Sequence, residues 1–425
     1  MKRFFGLSAC ALAGSLASAA LGAQAAASSG APPVAPSLTA DASAGGVTLR
    51  AALDAAWLRA VSARESAGQR ARSEADRMAS ASLWAAPPSL ELNHRNDRLQ
   101  NNTGQREIEI GLSVPLWLPG QRAAHSVTAE VAAARARVAE QVARLRLAGE
   151  LREAAWQLAA LQAEAAQAHS QAQALLQLAE DVERRVRAGD LARADALAAT
   201  AEHMEAASMQ HDVRQRLQTA HARWTLLTGL TVAPDLTALP NVDAAQGLVV
   251  PHPEQQLAGL STELARKRVD QLRLSPRDAP ELTVGLRRDV PGRAEASQGS
   301  LFVGLRLPLG TDDRNLPLQA AALAELDVAQ TQELRVRERL DSDAATARDA
   351  QRSAQAQLDA QTNRARLLRE RATLIDKSFR AGESPLPDLL RALAAAAQAD
   401  SVATRQSAAL GLARAHLQQT LGLLP

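Results

Sequence analysis

The chain is written twice, and that repeat decides which architectures remain open to it. Gly111-Leu112-Ser113-Val114-Pro115-Leu116 returns as Gly304-Leu305-Arg306-Leu307-Pro308-Leu309, 193 residues later. Val186-Arg187-Ala188-Gly189-Asp190 returns at the same spacing as Phe379-Arg380-Ala381-Gly382-Glu383. So do Asp195-Ala196-Leu197, as Asp388-Leu389-Leu390, and Gly229-Leu230, as Gly422-Leu423. One such match is of chance grade. Four at one offset mean tandem duplication, and a repeated plan has to be recognised before any fold is assigned. The first copy spans 46–240 and the second 250–425, joined by a Pro-, Gly- and Asp-containing stretch at 234–253.

Each copy reads helix, two strands, long helix, helix. In the first, Thr48 is an N-cap for a helix expected to run to about Ala85, where Pro87-Pro88 stops it. A hairpin is expected over 88–116, its first strand at Leu90-Glu91-Leu92-Asn93-His94 and its polar loop at 96–105. In the second strand Ile108, Ile110, Leu112, Val114 and Leu116 fall on one face, with Glu107, Glu109, Gly111 and Ser113 on the other. The second hairpin, over 280–309, repeats the pattern with Leu301, Val303, Leu305, Leu307 and Leu309. Runs of about ten alternating residues suit a tilted membrane β-strand, apolar side out and polar side in. A hairpin packed on a soluble core would alternate in the same way.

After each hairpin come long helices, expected over 120–230 and 314–424. Between Arg122 and Arg187 there is one glycine, Gly149, and no proline. An apolar stripe from Val127 to Val186 takes 17 steps over 59 residues, about 3.5 residues per step, the coiled-coil period. Some 65 helical residues at 1.5 Å each reach roughly 100 Å, which no compact domain needs. Alanine supplies much of the 46% apolar content, and small residues let helices approach closely.

The N-terminus reads as an export signal over 1–25: basic Lys2-Arg3, an apolar run from Phe4 to Leu21, and an Ala-x-Ala site at Ala23-Gln24-Ala25. Residues 26–45 read as a disordered linker of Ala, Ser, Pro and Gly. Cys10 is the only cysteine. Leu7-Ser8-Ala9-Cys10 resembles a lipoprotein cleavage box, but the apolar run continues past it, as for a cysteine lost with the leader. Formal charge is +2, and losing Lys2 and Arg3 neutralises the chain. A neutral chain lacks the electrostatic footprint of a nucleic-acid binder.

Four strands fall below the eight of the smallest membrane barrels, and strand edges facing lipid are forbidden. The chain is therefore expected to oligomerise. Three copies would supply twelve strands and twelve long helices, a closed and hollow object.

These features together resemble the outer-membrane efflux proteins of the TolC family, over essentially all of 46–425. The resemblance rests on the leader, the duplicated plan, the strand end leading into Trp117-Leu118-Pro119-Gly120-Gln121-Arg122, and the paired helix tips. Arg380, Gly382, Asp388 and Leu390 match the family's Arg-x-Gly-x-x-Ser-x-x-Asp-x-Leu pattern, with Ser384 two rather than three places after the glycine. The first tip carries Ala192 where that serine belongs. The family implies a mainly α chain whose four strands complete a 12-stranded barrel in a homotrimer, in contact with outer-membrane lipid, above an α-helical tunnel in the periplasm. Its implied partners are a periplasmic adaptor and an inner-membrane pump.

On this reading Arg187, Gly189, Arg380, Gly382 and Ser384 form an adaptor-docking surface at the tips. Asp388, with Asp195 as its counterpart, is expected to ring a periplasmic gate, where converging carboxylates repel each other and attract cations. Arg187 and Arg380 are candidates for holding neighbouring helices together there. Arg391 stands three residues beyond Asp388, where the family's best-known member has a second carboxylate, so a second acidic ring is in doubt.

No H-E-x-x-H, G-x-S-x-G, P-loop or C-x-x-C occurs. No catalytic residue, metal or cofactor is expected, and the chain is not read as an enzyme. His203, Met204, Met209, His211 and His221 share one expected helix, with donors that suit copper, but His203 and His211 are too far apart to act as a ligand pair. The cargo expected is small molecules or metal ions. The alternatives are a periplasmic coiled-coil adaptor, which needs one hairpin flanked by β-rich domains, and the outer-membrane component of a protein secretion system.

Overall fold

The computed structural model describes residues 47–99, 102–236 and 251–425. The expected export signal, the linker at 26–45 and most of the junction between the copies lie outside the described residues.

The first copy opens with α1 (Leu49–Arg59) and α2 (Val61–Ser80) rather than one helix to Ala85. Thr48 caps α1, its Oγ1 accepting from the Ala51 N–H at 3.2 Å. The backbone turns extended at Ala60 (φ −69°, ψ 137°), and no glycine or proline marks the break. The break falls where the buried stripe changes: α1 buries Leu49, Ala52, Leu53, Ala56 and Trp57, whereas α2 buries only Ser66, Ser73 and Ser80. The counterpart helix of the second copy, α5 (Pro253–Arg273), runs unbroken.

Four strands follow the two opening segments: β1 (Ser89–Asn96), β2 (Arg106–Pro115), β3 (Glu281–Val290) and β4 (Gln298–Arg306). They form one antiparallel sheet in the order β1-β2-β3-β4. The duplication thus builds a single sheet, because β2 pairs with β3 from Arg106↔Val290 to Pro115↔Glu281. β4 ends at Arg306, short of the expected Leu309. Pro308 has no N–H to offer a ladder there.

The tall part of the molecule is α3 (Gln121–Ala188, 68 residues) with α4 (Arg193–Thr228), and α6 (Asp312–Arg380, 69 residues) with α7 (Leu386–Thr420). At 1.5 Å per residue α3 and α6 each extend about 100 Å. The α3 stripe buries Val142, Leu145, Ala148, Leu151, Ala155 and Leu158 as expected. Nearer the sheet its register moves: Ala129, Ala133 and Ala136 are buried, while Val127 is 40% exposed. Close helix packing there selects the smallest side chains.

Two larger apolar clusters and a small one of Ala372, Ala392 and Ala396 hold the helices. One of the larger two lies midway, where Leu53, Trp57, Leu151, Leu158 and Trp224 meet. The other lies at the far tips, where Leu175, Val182, Ala199, Phe379, Leu386 and Leu389 meet. Among the described residues α3 packs along its length against α1, α2, α4, α5 and α7, whereas α6 packs along its length against α5 and α7 and meets the first copy at its tip, through Phe379.

Candidate functional site

The sheet is inside out. Leu92, Ile110, Leu286 and Leu301 form one cross-strand row and Leu90, Leu112, Val284 and Val303 the next. All eight are between 43% and 74% exposed. The opposite face holds the polar and small residues, of which Gly111, Ser113 and Gly285 are buried. There Arg287 bridges Glu107 at 2.6 Å and Glu109 at 3.5 Å, and Thr283 Oγ1 lies 3.1 Å from Ser113 Oγ. Phe302 lies over Gly285, its ring 2.6 Å from where a Cβ would stand.

Among the described residues no helix packs on either face of the sheet. Full burial of a Val, Leu or Ile side chain is worth roughly 1.5–3 kcal/mol. Exposing eight of them to water would forgo on the order of 10 kcal/mol, so the apolar face calls for a non-aqueous surround. Both sheet edges, β1 and β4, are also unpaired among the described residues.

At the other extreme the two helix tips are built alike. In the first, the Gly189 N–H donates to the Val186 carbonyl at 3.1 Å and the Asp190 N–H to the Arg185 carbonyl at 2.9 Å. In the second, Gly382 donates to Phe379 at 3.0 Å and Glu383 to Ser378 at 2.9 Å. These bonds satisfy the last helical carbonyls and need a left-handed residue at the turn. Gly189 (φ +88°) and Gly382 (φ +79°) supply it, and neither has an atom within 4 Å of a would-be Cβ.

The structure brings the tips together around a groove of about 610 Å³. Asp195 lines it from the first copy, and Arg380, Gly382 and Ser384 line it from the second. Arg187, Gly189 and Asp388 stand outside this groove. Asp195 Oδ2 accepts from the Ala192 N–H at 3.2 Å, so it caps α4. Asp388, in the first turn of α7, pairs with Arg391 at 2.9 Å. Ser384 Oγ lies 2.6 Å from Ser378 Oγ.

The expected role of the tip arginines across helices differs from what the chain holds: Arg380 pairs with Asp376 at 3.0 Å and Arg187 with Glu183 at 3.9 Å, each on its own helix. The contact that does cross between the tips is Arg185 over the Phe379 ring, at 5.2 Å. The sequence held a trace of it, since Val186 becomes Phe379 at the 193-residue offset.

Along α4, Met204 and Met209 are 65% and 51% exposed. Among the described residues no three His, Cys, Asp or Glu side chains converge on a metal position. No described helix is long and apolar enough to cross a membrane.

No family model matches the chain, and no curated protein matches its sequence. Solved structures do match. The outer membrane protein VceC of Vibrio cholerae superposes with a TM-score of 0.71 at 16% identity, over 88% of this chain and 96% of that one. CusC, a protein that forms a transmembrane channel, gives 0.73 at 15% identity over 88% and 92%. The open-state MtrE outer membrane channel of Neisseria gonorrhoeae gives 0.68 at 17% identity over 89% and 90%. The chain therefore has the fold of these outer-membrane channel proteins. It is the fold that the resemblance to the TolC family implies.

Proposed function

We propose that the protein is the outer-membrane channel-tunnel of a tripartite efflux system, a passive duct rather than an enzyme. The observation that carries this reading is the inverted sheet: apolar outside, polar inside, with two unpaired edges. Lipid satisfies the outer face, and further copies satisfy the edges. β1 and β4 bound an antiparallel sheet, so β4 of one copy can pair with β1 of the next around a ring. Three copies make a 12-stranded barrel.

The helices support the same count. α3 has α7 beside it, but by the repeat α6 should have an α4 beside it, and among the described residues no α4 runs along it. A neighbouring copy supplies that α4. The tips then converge at the periplasmic end. There Arg187, Gly189, Arg380, Gly382 and Ser384 meet an adaptor, which links the tunnel to an inner-membrane pump. Asp195 and Asp388 line the gate, with Asp388 partly neutralised by Arg391. The cargo class proposed is small molecules or metal ions.

Fractionation and planar-bilayer recording test the reading. Trimers in the outer membrane that conduct ions are expected. A soluble periplasmic monomer that fails to conduct would refute it, and would favour the adaptor alternative. For the gate, Asp388→Ala should weaken block by multivalent cations added at the tip side, whereas unchanged conductance and block remove Asp388 from it.

A further inference from the structure

The outward face of the sheet is not uniformly apolar: its loop end carries arginines and no acid. Strand alternation puts Leu90, Leu92, Ile110, Leu112, Val284 and Leu286 on this face, and it puts Arg106 and Arg288 on the same face at the hairpin-loop end. Arg106 pairs across strands with Val290 and Asn96, and Arg288 with Ile108 and Gly299. Both arginines are exposed.

Every carboxylate of the four strands falls on the opposite, inward face: Glu91, Glu107, Glu109, Glu281 and Asp289. The inward arginine Arg287 is matched by Glu107 and Glu109. Neither outward arginine has an acidic partner among the described residues; Arg288 Nη2 donates only to Ser297 Oγ, at 3.2 Å. Of the loop acids, Asp97 is engaged within its own loop: its Oδ2 accepts from the Thr103 hydroxyl at 2.6 Å and the Gly104 N–H at 3.1 Å.

The other end of the band is different. It meets the helices at Trp84, 41% exposed, and at Trp117, whose Nε1 donates to the Ser82 carbonyl at 3.1 Å. Ten residues of strand separate Arg106 from Leu116 at that end, about 34 Å along the strand and about 26 Å in height at a membrane barrel's tilt. Arg106 therefore stands about one hydrocarbon thickness from the tryptophan rim, and Arg288, level with Ile108, stands about 21 Å from it, from where its long side chain reaches up to the headgroups of the leaflet farther from the tunnel.

We propose that Arg106 and Arg288 form a binding surface for the phosphate groups of anionic lipid in that leaflet. The guanidinium fork matches a phosphate through paired charge-assisted hydrogen bonds. The apolar rows below receive the acyl chains, and the absence of outward carboxylates removes any repulsion. The proposal rests on the channel reading, since only a closed barrel turns this face to lipid.

The test uses purified trimers reconstituted in phosphatidylcholine vesicles, with spin-labelled phosphatidic acid and spin-labelled phosphatidylcholine as probes of the lipid held at the protein. A preference for phosphatidic acid of about fivefold or more is expected, falling with added salt. Arg106→Gln with Arg288→Gln should bring it close to parity. Arg106→Lys with Arg288→Lys should keep only part of it, since the charge survives and the paired bonds do not, and Arg95→Gln, on the inward face, should leave it unchanged. Inserted trimers without a preference, or the same preference in the double Gln variant, would overturn this proposal alone. A chain that never enters vesicles would overturn the channel reading and this proposal with it.

Discussion

The guanidinium of Arg152 donates to the Leu423 carbonyl at 2.8 Å, tying the middle of α3 to the end of α7. It also donates to Gln419 Oε1 at 2.6 Å, and only 2% of the residue is exposed. Burial pulls its pKa down to about 10, so it stays charged at neutral pH. Among the described residues no carboxylate pairs with it, and its charge lies at the C-terminal end of α7, the negative end of the helix dipole. Arg152→Ala should cost about 2–4 kcal/mol, from a cavity and two stranded acceptors. Arg152→Met, which keeps the volume, should cost less. Denaturant unfolding midpoints will rank the two.

His252 gives the fold a pH dependence. Its Nδ1 accepts the Glu254 N–H at 3.1 Å, capping α5, and this requires the neutral ring. Burial, with a smaller contribution from Arg339, lowers its pKa against the opposing pull of Glu254 and of a backbone hydrogen bond at Gln419. With the folded pKa below the unfolded value of about 6.5, the unfolded chain takes up the proton first as pH falls. The stability this group contributes is therefore full above pH 6.5 and is lost on descent through the window just below it. His252→Asn keeps a capping acceptor that does not titrate, and its thermal midpoint should fall less between pH 7 and pH 5 than the parent's.

Gly411 is required by contact rather than by backbone angle. A Cβ on it would stand 2.1 Å from the Trp156 ring. Gly411→Ala should push α7 away from α3 and destabilise by about 1–3 kcal/mol, despite alanine's better helix propensity. Adding Trp156→Leu should recover part of the loss in a double-mutant cycle on unfolding midpoints.

Gly382 is the opposite case. Its Cβ would meet nothing, but φ is +79°. Gly382→Ala should cost only about 1–2 kcal/mol, from the left-handed backbone, and trimers should still form on native gels. A bulkier Gly382→Leu should abolish efflux in cells with trimers intact if the tip docks an adaptor. Loss of trimers would instead make the glycine structural.

On the outward face, Leu286→Asp puts a charge in the middle of the apolar band. It should block membrane insertion, read as a shift of the chain out of the membrane fraction. Thr283→Asp, on the inward face, should be tolerated far better. Equal tolerance at both positions would deny that the two faces meet different solvents.

Periodicity and the 193-residue repeat made the strands, the long helices and the glycine tips legible in the sequence, because each is set by local preferences: alternation, a 3.5-residue stripe, a left-handed turn. The break at Ala60 was not legible, since neither Ala60 nor its neighbours carries a breaking residue and only packing against α3 and α4 divides α1 from α2. The fusion of two hairpins into one sheet was not legible either, because β2 and β3 are separated by more than 160 residues. The tip residues came out in part: the sequence named Asp195 and Asp388, but not that one caps α4 while the other pairs with Arg391. Side-chain partners depend on rotamers and distances that one-dimensional spacing leaves free. The sequence by itself determined the strands, the long helices and which residues share each strand face. Tertiary structure decided which tips meet, where Arg152 is anchored and which edges stay open, because those depend on contacts between segments far apart in the chain.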